Sequence, residues 1–290
     1  MKDCVGGPPG ARPVVTRFAP SPTGLLHVGH AFAALTAWHA ARAAGGRFLL
    51  RVEDIDATRC RPAFVEAILE DLAWLGIDWD GEVRVQSAHL AEYRAVLDAL
   101  AARDLLYPCF CTRAEIVREV AAAADAPQGP EGPRYPGTCR RLDPATRAAR
   151  LAAGTPHALR LDMARAVAAV RAPLAACEAG EGRWICDPLA FGDVVLGRKD
   201  APASYHLCAT HDDAAQGVTL VTRGADLRPA TSVHRLLQAL MGWPAPRYAH
   251  HPLVMDEFAQ RLAKRNNSPS LRSLRQNGIR PGQIRARFGY

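Results

Sequence analysis

The stretch of the chain that decides the fold lies near its beginning and reads Val14-Val15-Thr16-Arg17-Phe18-Ala19-Pro20-Ser21-Pro22-Thr23-Gly24-Leu25-Leu26-His27-Val28-Gly29-His30. Its apolar first part predicts a short buried strand over 14–18, and the prolines and Gly24 predict a loop. A helix pattern follows from His30 to Ala44 and ends at two glycines. In an open parallel sheet, a nucleotide binds beyond the carboxyl end of a strand and at the N-terminus of the next helix. The order of these elements therefore predicts a nucleotide site.

Three residues of this stretch have the chemistry that a nucleotide site needs. Gly29 would let a base or a phosphate approach the backbone closely. The imidazoles of His27 and His30 would donate hydrogen bonds to charge on a phosphate. A proline-rich turn with two surface histidines is the alternative interpretation, and the complete string, rather than the two histidines alone, favours the nucleotide site.

The rest of the chain alternates strand and helix patterns on both sides of a less regular middle. Strands over 48–52 and 218–223 and helices over 62–75, 87–103 and 230–241 predict an α/β fold with a parallel sheet and covering helices. The middle reads as short helices, strands and turns, which predicts an inserted α+β subdomain. We therefore expect a flexible tail over 1–12, the first half of a nucleotide-binding catalytic domain over 13–107, the insertion over 108–203 and the second half of the domain over 204–290.

Local signals subdivide the expected insertion. Thr112 and Glu115 have the spacing of a capping box, which opens a short helix. Asp143, followed by a proline, opens another helix that ends at Gly154. The prolines and glycines over 125–138 predict a loop.

Composition restricts the kind of protein. The chain has 290 residues, of which 49% are hydrophobic and 22% charged, as in a soluble globular protein. No apolar run approaches the roughly 20 residues that span a bilayer, and the first residues lack the apolar core of a secretory signal. We therefore expect a cytoplasmic protein without a membrane partner. Lysine and arginine number 36 against 29 acidic residues, and this excess weakly favours a polyanionic partner.

Three of the eight cysteines lie close together in a pattern typical of a metal site. One residue separates Cys109 from Cys111, and Cys139 follows. In a cytoplasmic chain this spacing favours a metal over a disulfide, and Zn²⁺ in a structural site takes four ligands. From the residues alone, His157 is a conventional fourth ligand. The alternative is three buried free thiols.

Residues 17–30 resemble the HIGH motif of the class I aminoacyl-tRNA synthetases, in the version found in glutamyl-tRNA synthetases. Further matches follow in chain order over 51–59, 205–207, 212–227 and 250–255. The resemblance thus covers most of the chain. It implies a Rossmann-like catalytic domain that uses ATP with Mg²⁺ to activate L-glutamate.

A later loop, which reads Arg261-Leu262-Ala263-Lys264-Arg265, resembles the family's KMSKS loop with two differences. Its first lysine is arginine, and its serine is alanine. Lys264, one of only three lysines in the chain, keeps the position whose ammonium group would follow the phosphates through the transition state. We therefore expect His27, His30 and Lys264 to be catalytic and, with Gly29, to bind ATP. The alternative is a non-catalytic paralogue that binds tRNA.

The charges of glutamate determine what its pocket must contain. Two carboxylates require cationic groups, and one ammonium requires an anion. Arg17 and Arg223, at predicted strand ends, would bind the carboxylates, and Glu53 would bind the ammonium. The resemblance implies that the residues in contact with glutamate are Arg17, Ala19, Ser21, Glu53, Tyr205 and Arg223.

The same resemblance bears on the two expected metals. Members of the family bind zinc through C-x-C and Y-x3-C, which assigns Tyr135 as the fourth ligand beside the three cysteines. Asp212 and Asp213 would suit Mg²⁺ as ligands, but we expect them to cap the helix that follows them.

Only 26 residues follow Lys264 (290 − 264), fewer than the roughly 50 that a domain needs, so we expect no helical anticodon-binding region there. This combination resembles the glutamyl-Q tRNA(Asp) synthetases, a branch of the family that joins glutamate to queuosine, a modified base in the anticodon loop of tRNA(Asp). The resemblance implies tRNA(Asp), L-glutamate and ATP as partners, and we expect a monomer. Two alternatives stand beside the paralogue: a glutamyl-tRNA synthetase fragment that charges tRNA(Glu), and a zinc-centred redox module.

Overall fold

Three parallel strands and three helices form the first part of the chain in the computed structural model, which describes residues 12–122, 128–255 and 269–290. In chain order they are β1 (Val15–Phe18), α1 (Val28–Ala43), β2 (Arg47–Val52), α2 (Pro62–Trp74), β3 (Arg84–Val85) and α3 (Leu90–Ala101). β2 pairs in parallel with both β1 and β3. The helix predicted over 87–103 begins only at Leu90, after a 3₁₀ turn over Gln86–His89.

Small residues let α1 lie close to this sheet. Its buried positions are Val28, Ala31, Ala34, Leu35, Ala37 and Ala41. The buried hydroxyl of Thr16 in β1 donates to the carbonyl oxygen of Ala37 at 2.8 Å, so a hydrogen bond joins strand and helix. The helix ends at two glycines, as predicted: Gly45 has φ +60°, and a Cβ on Gly46 would clash with the carbonyl oxygen of Val14.

Short elements build the middle of the chain. They are β4 (Leu106–Cys109), α4 (Arg113–Ala122), β5 (Gln128–Gly129), β6 (Gly132–Pro133), α5 (Pro144–Ala152), β7 (Ala158–Leu161), α6 (Met163–Ala168), β8 (Ala175–Glu178), β9 (Gly182–Ile185) and β10 (Val195–Gly197). β7 pairs antiparallel with both β4 and β10, while β5 pairs with β6 and β8 with β9.

Both helix starts predicted in this part are confirmed. The backbone N–H of Glu115 donates to Thr112 Oγ1 at 3.2 Å, and the backbone N–H of Thr112 donates to Glu115 Oε2 at 2.6 Å, which completes the capping box. The carboxylate of Asp143 caps α5. The loop predicted over 125–138 lies outside the described residues at 125–127 and is partly wrong in the rest, because β5 and β6 form a hairpin, in which Gly132 at the start of β6 has a positive φ of +109°.

Alternation of helix and strand returns in the last part of the chain. Its elements are α7 (Tyr205–Ala215), β11 (Leu220–Gly224), α8 (Thr231–Met241), β12 (Arg247–His251), α9 (Leu271–Gln276) and α10 (Pro281–Ala286). β11 and β12 pair in parallel, with Arg223 opposite His250. β12 also pairs in parallel with β8, where Tyr248 lies opposite Glu178, so the β8–β9 hairpin extends this sheet.

The two outer parts meet at β1 and β11, where the backbone N–H of Thr219 donates to the carbonyl oxygen of Val15 at 3.0 Å. A buried apolar cluster spans this junction and includes Leu49 of β2, Leu207 of α7 and Leu236 of α8. The predicted α/β architecture with parallel strands is thus confirmed, whereas the division into four parts stays a prediction. Within the described ranges, no helix is both long and apolar enough to cross a bilayer.

Candidate active site

A cavity of about 510 Å³ opens where the carboxyl ends of β1 and β11 meet the start of α1. Every predicted nucleotide-site and glutamate-site residue in the described part of the chain lines it. These residues are Arg17, Ala19, Ser21, His27, Gly29, His30, Glu53, Tyr205 and Arg223. Lys264 and the rest of its loop lie outside the described residues. The structure therefore brings together side chains that are up to about 200 positions apart in sequence, while their roles stay predictions.

The two histidines of the first motif cap α1. The backbone N–H of Gly29 donates to His27 Nδ1 at 3.1 Å, and the backbone N–H of His27 donates to His30 Nδ1 at 3.1 Å. The helix therefore begins at Val28, two residues earlier than predicted. Because both Nδ1 atoms accept, a neutral ring carries its proton on Nε2. Each imidazole thus has an Nε2–H donor at the N-terminus of a helix, where an anion is stabilised.

Arg17 reaches the cavity from β1 and is held by a buried carboxylate. Its Nε donates to Asp213 Oδ1 at 2.9 Å, and one terminal nitrogen donates to the carbonyl oxygen of Thr222 at 3.0 Å. The fully buried Arg51 donates to the same Asp213 oxygen at 2.9 Å and to Glu53 Oε1 at 3.2 Å. Asp213 thus bridges two guanidinium groups, and the second of them orients Glu53.

Burial and charge act against each other on these carboxyl groups. Burial disfavours the ionised form of Asp213, but the charges of Arg17 and Arg51 outweigh it and hold the pKa of Asp213 below its usual value. At Glu53 the balance is reversed, because burial raises the pKa although the same two arginines oppose it. Asp213 is therefore a fixed anion, whereas Glu53 would be stabilised in its charged form by a cationic ligand.

The prediction that Asp212 and Asp213 cap a following helix is wrong. Both lie near the end of α7, whose N-cap is Ser204, and the next element is a strand. Asp212 is fully buried and accepts from Arg84 Nε at 2.9 Å and from the Tyr93 hydroxyl at 2.9 Å. The two carboxylates thus balance arginines that come from distant parts of the chain.

Arg223 reaches the cavity from β11 and is only 6% exposed. Its Nε donates to His250 Nε2 at 3.2 Å, and its two terminal nitrogens donate to His234 Nδ1 at 3.1 Å and to Thr231 Oγ1 at 2.6 Å. Among the described residues, no carboxylate forms an ion pair with it. A buried cation on a cavity wall without such a partner is suited to an anionic ligand.

Two neutral imidazoles provide the acceptors around Arg223. Burial and the charge of Arg223 lower the pKa of His234 well below its usual value. Burial also lowers the pKa of His250, together with Arg223 and against the opposing effect of Glu178. Neither ring therefore competes with Arg223 as a second cation near neutral pH.

Comparison with known proteins gives the family of the chain. Residues 13–286 match the family model described as tRNA synthetases class I (E and Q), catalytic domain. The chain belongs to the class I tRNA synthetases of the E and Q group. Enzymes of this class use ATP, with Mg²⁺, and act on tRNA.

Two curated relatives of this synthetase are named Glutamyl-Q tRNA(Asp) synthetase. The one from Rhodobacter capsulatus is 48% identical over 278 residues, which cover 95% of this chain and 100% of the relative. The one from Nocardia farcinica is 46% identical over 270 residues, 93% of this chain and 82% of the relative. A solved glutamate tRNA ligase from Elizabethkingia meningosepticum, in complex with its amino acid, matches with a TM-score of 0.73 and 28% identity. That match covers 92% of this synthetase, which spans about half (54%) of the ligase chain.

The predicted zinc ligands also converge, at the end of β4. The thiols of Cys109, Cys111 and Cys139 lie within 4.8 Å of one another. Tyr135 joins them, since its hydroxyl lies 3.3 Å from Cys111 Sγ and accepts from the backbone N–H of Cys139 at 2.9 Å. His157 is not part of this group, and its Nδ1 lies 3.0 Å from the carbonyl oxygen of Thr155. Three thiols this close together, with a phenol beside them, match in number the four ligands that a structural Zn²⁺ takes.

Sequence reasoning missed the residues that hold the lining side chains in place. Arg51 gave a signal, since it is the one charged residue in Phe48-Leu49-Leu50-Arg51-Val52, and an arginine inside a buried strand needs an anionic partner. No comparable feature of the sequence marks Asp213, Glu178 or His250, because each of them reaches the site only through tertiary contacts.

Proposed function

We propose that the protein activates L-glutamate with ATP and Mg²⁺ and transfers the glutamyl group to queuosine in the anticodon loop of tRNA(Asp). For the amino acid, the proposal is carried by the buried Arg223, whose guanidinium lines the cavity without a carboxylate partner among the described residues. For the acceptor, it is supported by the relatives named Glutamyl-Q tRNA(Asp) synthetase at 42–48% identity over most of the chain.

The first step is formation of an adenylate. An oxygen of the glutamate α-carboxylate attacks the α-phosphorus of ATP, the bond to the β-phosphate oxygen breaks, and glutamyl-adenylate and pyrophosphate form. The Nε2–H groups of His27 and His30 donate to the phosphates, and Lys264 adds its positive charge. Arg17 and Arg223 bind carboxylate, while Glu53 accepts from the ammonium. No protein nucleophile is required, so positioning and electrostatic stabilisation supply the catalysis.

The second step consumes the adenylate. A hydroxyl of the queuosine cyclopentene ring attacks the activated carbonyl carbon, AMP leaves, and an ester forms. In this proposal the anticodon loop of the tRNA enters the active site, and the enzyme recognises the tRNA at that point. The arginine-rich surface of the protein would hold the RNA backbone.

The test has two stages that separate activation from transfer. ATP–pyrophosphate exchange should depend on glutamate and should be far weaker with glutamine, which lacks the second carboxylate. Labelled glutamate should then pass to tRNA(Asp) that contains queuosine, and the product should be released by mild base, as expected for an ester. The same tRNA with unmodified guanosine is the matched control. Transfer to tRNA(Glu) instead would replace the proposal by an ordinary charging activity, and binding of tRNA without exchange would show a non-catalytic paralogue.

We also propose that Cys109, Cys111, Cys139 and Tyr135 bind one structural Zn²⁺, which would fix the loop around them. Metal analysis of freshly purified protein should find about one zinc per chain. Its absence would leave a cluster of free thiols. The predicted domain division and the monomeric state are proposals of the same kind, to be tested by limited proteolysis and by light scattering.

A further inference from the structure

Arg223 is connected to a buried carboxylate through one imidazole ring. His250 Nε2 lies 3.2 Å from Arg223 Nε, and His250 Nδ1 lies 2.7 Å from Glu178 Oε2. An arginine only donates, so Nε2 must be the acceptor and Nδ1 must carry the proton. A carboxylate only accepts, so the same tautomer follows from the Glu178 side. Both neighbours therefore fix one state of the ring.

The backbone places these three groups, and solvent is excluded from them. Arg223 and His250 lie opposite each other in the β11–β12 pair, and Glu178 is opposite Tyr248 at the β12–β8 contact. Glu178 is 3% exposed and the His250 side chain 2%. The second oxygen of Glu178 accepts from the backbone N–H of His250 at 2.6 Å. Both oxygens of the carboxylate are thus used by one residue.

The ring between the two charges has a consequence for the cavity. A carboxylate in direct contact with Arg223 would form a bidentate pair and occupy the face of the guanidinium that a substrate needs. Because His250 lies between Glu178 and Arg223, the arrangement uses only one hydrogen of Arg223, the Nε–H that donates to the ring. His234 and Thr231 accept one hydrogen each. Of the five guanidinium hydrogens, two then have no acceptor among the described residues.

We propose that Glu178 and His250 are positioning residues for substrate binding: the buried carboxylate fixes the tautomer of His250, and His250 holds Arg223 so that its remaining donors meet a substrate carboxylate. Neither residue touches the substrate. The inference rests on the proposed function, because it takes glutamate as the ligand of Arg223.

The variant Glu178→Gln tests this chain of hydrogen bonds with almost no change of shape. In Glu178 the two donors of His250 go to two different oxygens. In glutamine one of these two positions carries an NH₂ group, which only donates, so in the same geometry the side chain accepts either from the His250 backbone or from Nδ1, but not from both. If its amide group faces Nδ1, the proton of the ring moves to Nε2 and opposes Arg223. We expect the KM for glutamate in ATP–pyrophosphate exchange to rise about 10-fold or more, while kcat and the KM for ATP change much less. The control Glu181→Gln removes the same charge from the exposed β8–β9 turn, where Glu181 pairs with Arg228, and should leave all three constants unchanged.

A second variant separates positioning from a general loss of structure. In His250→Gln, the side-chain oxygen can accept from Arg223 without help from a carboxylate. Adding Glu178→Gln to this variant should therefore raise the KM for glutamate no further, a non-additivity that marks a shared pathway. Independent, additive effects of the two substitutions, or an unchanged KM in Glu178→Gln, would overturn the proposal.

A spectroscopic measurement keeps this inference distinct from the proposed function. In ¹⁵N spectra of histidine-labelled protein, the signals that His250→Gln removes should report a ring protonated on Nδ1 in the wild type and a changed tautomer in Glu178→Gln. Suppose that the wild type shows no glutamate-dependent exchange, while His250 still changes its tautomer between the wild type and Glu178→Gln. In that case the proposed function fails and the hydrogen-bond chain stands. An Nε2-protonated ring in the wild type would refute the chain itself.

Discussion

Replacing Asp71 by asparagine should stabilise the protein, and the gain should grow with pH. Asp71 lies on the buried face of α2 with no exposed surface, and neither carboxylate oxygen has a hydrogen-bond partner in the part of the chain that the structure describes. Burial raises the pKa of Asp71 to about 6, although the charges of Arg275 and Arg272 on α9 oppose it. The wild type therefore buries an ionised carboxylate at neutral pH.

The size of the effect follows from the two pKa values of Asp71. The unfolded chain loses the proton near 3.8, whereas the folded state keeps it up to about 6. This difference of about 2.2 units costs the folded state about 3 kcal/mol well above pH 6, and the cost disappears as the pH falls below 3.8. Between about pH 5 and about pH 7.5, the cost grows by about 1.4 kcal/mol.

Urea unfolding of the wild type and of Asp71→Asn at these two pH values measures the prediction. The amide of the new asparagine has its own packing cost, but that cost is the same at both pH values. It therefore cancels when the difference in unfolding free energy between variant and wild type at one pH is compared with the difference at the other. The control Glu70→Gln removes the neighbouring charge, which is exposed and pairs with Arg272 at 3.2 Å. It should change the free energy of unfolding by less than about 1 kcal/mol at both pH values. If the advantage of Asp71→Asn is equal at both pH values, or shrinks as pH rises, the reasoning is refuted.

Three further predictions concern the sites. Arg223→Ala should lower glutamate-dependent pyrophosphate exchange at least about 10²-fold, since charge-assisted hydrogen bonds contribute a few kcal/mol; unchanged exchange would remove Arg223 from the pocket. Asp213→Asn leaves Arg17 and Arg51 without their shared anion and should reduce the free energy of unfolding by about 3–5 kcal/mol in urea titrations. A reduction of less than about 1 kcal/mol would contradict this role of Asp213. Cys139→Ser should abolish stoichiometric zinc and lower the melting temperature, and equal zinc content in both proteins would argue against this ligand.

The first motif shows how far local sequence reasoning reaches. Strand, loop and helix were predictable around His27 and His30 because apolar runs, prolines and glycines act on their own backbone. The start of α1 was not, because the cap is made by two imidazoles rather than by the serine, threonine or aspartate that usually provides it. The placement of lining residues such as Arg223 at strand ends was predictable for the same local reason.

The support for those residues depends on long-range contacts. Arg51 and Asp213 are separated by 162 positions in sequence, and nothing in either neighbourhood points to the other. Asp212 and Asp213 show the resulting error: as neighbouring acidic residues they suggested helix capping, but the helix lies before them and their partners are distant arginines. Glu178 belongs to the segment that the sequence assigned to an insertion, and only its pairing with β12 brings it near the cavity.

That pairing matters for anyone who wants to shorten this protein. Residues 108–203 look like an attachment that an engineer would excise to obtain a minimal catalyst. Excision would take away the β8–β9 hairpin and with it the only strand that lies against the outer edge of β12 in the described part of the chain. His250 would then face water, and Arg223 would lose the distant negative charge that balances it. A trimmed version should therefore retain residues 175–185, grafted so that position 178 still reaches β12.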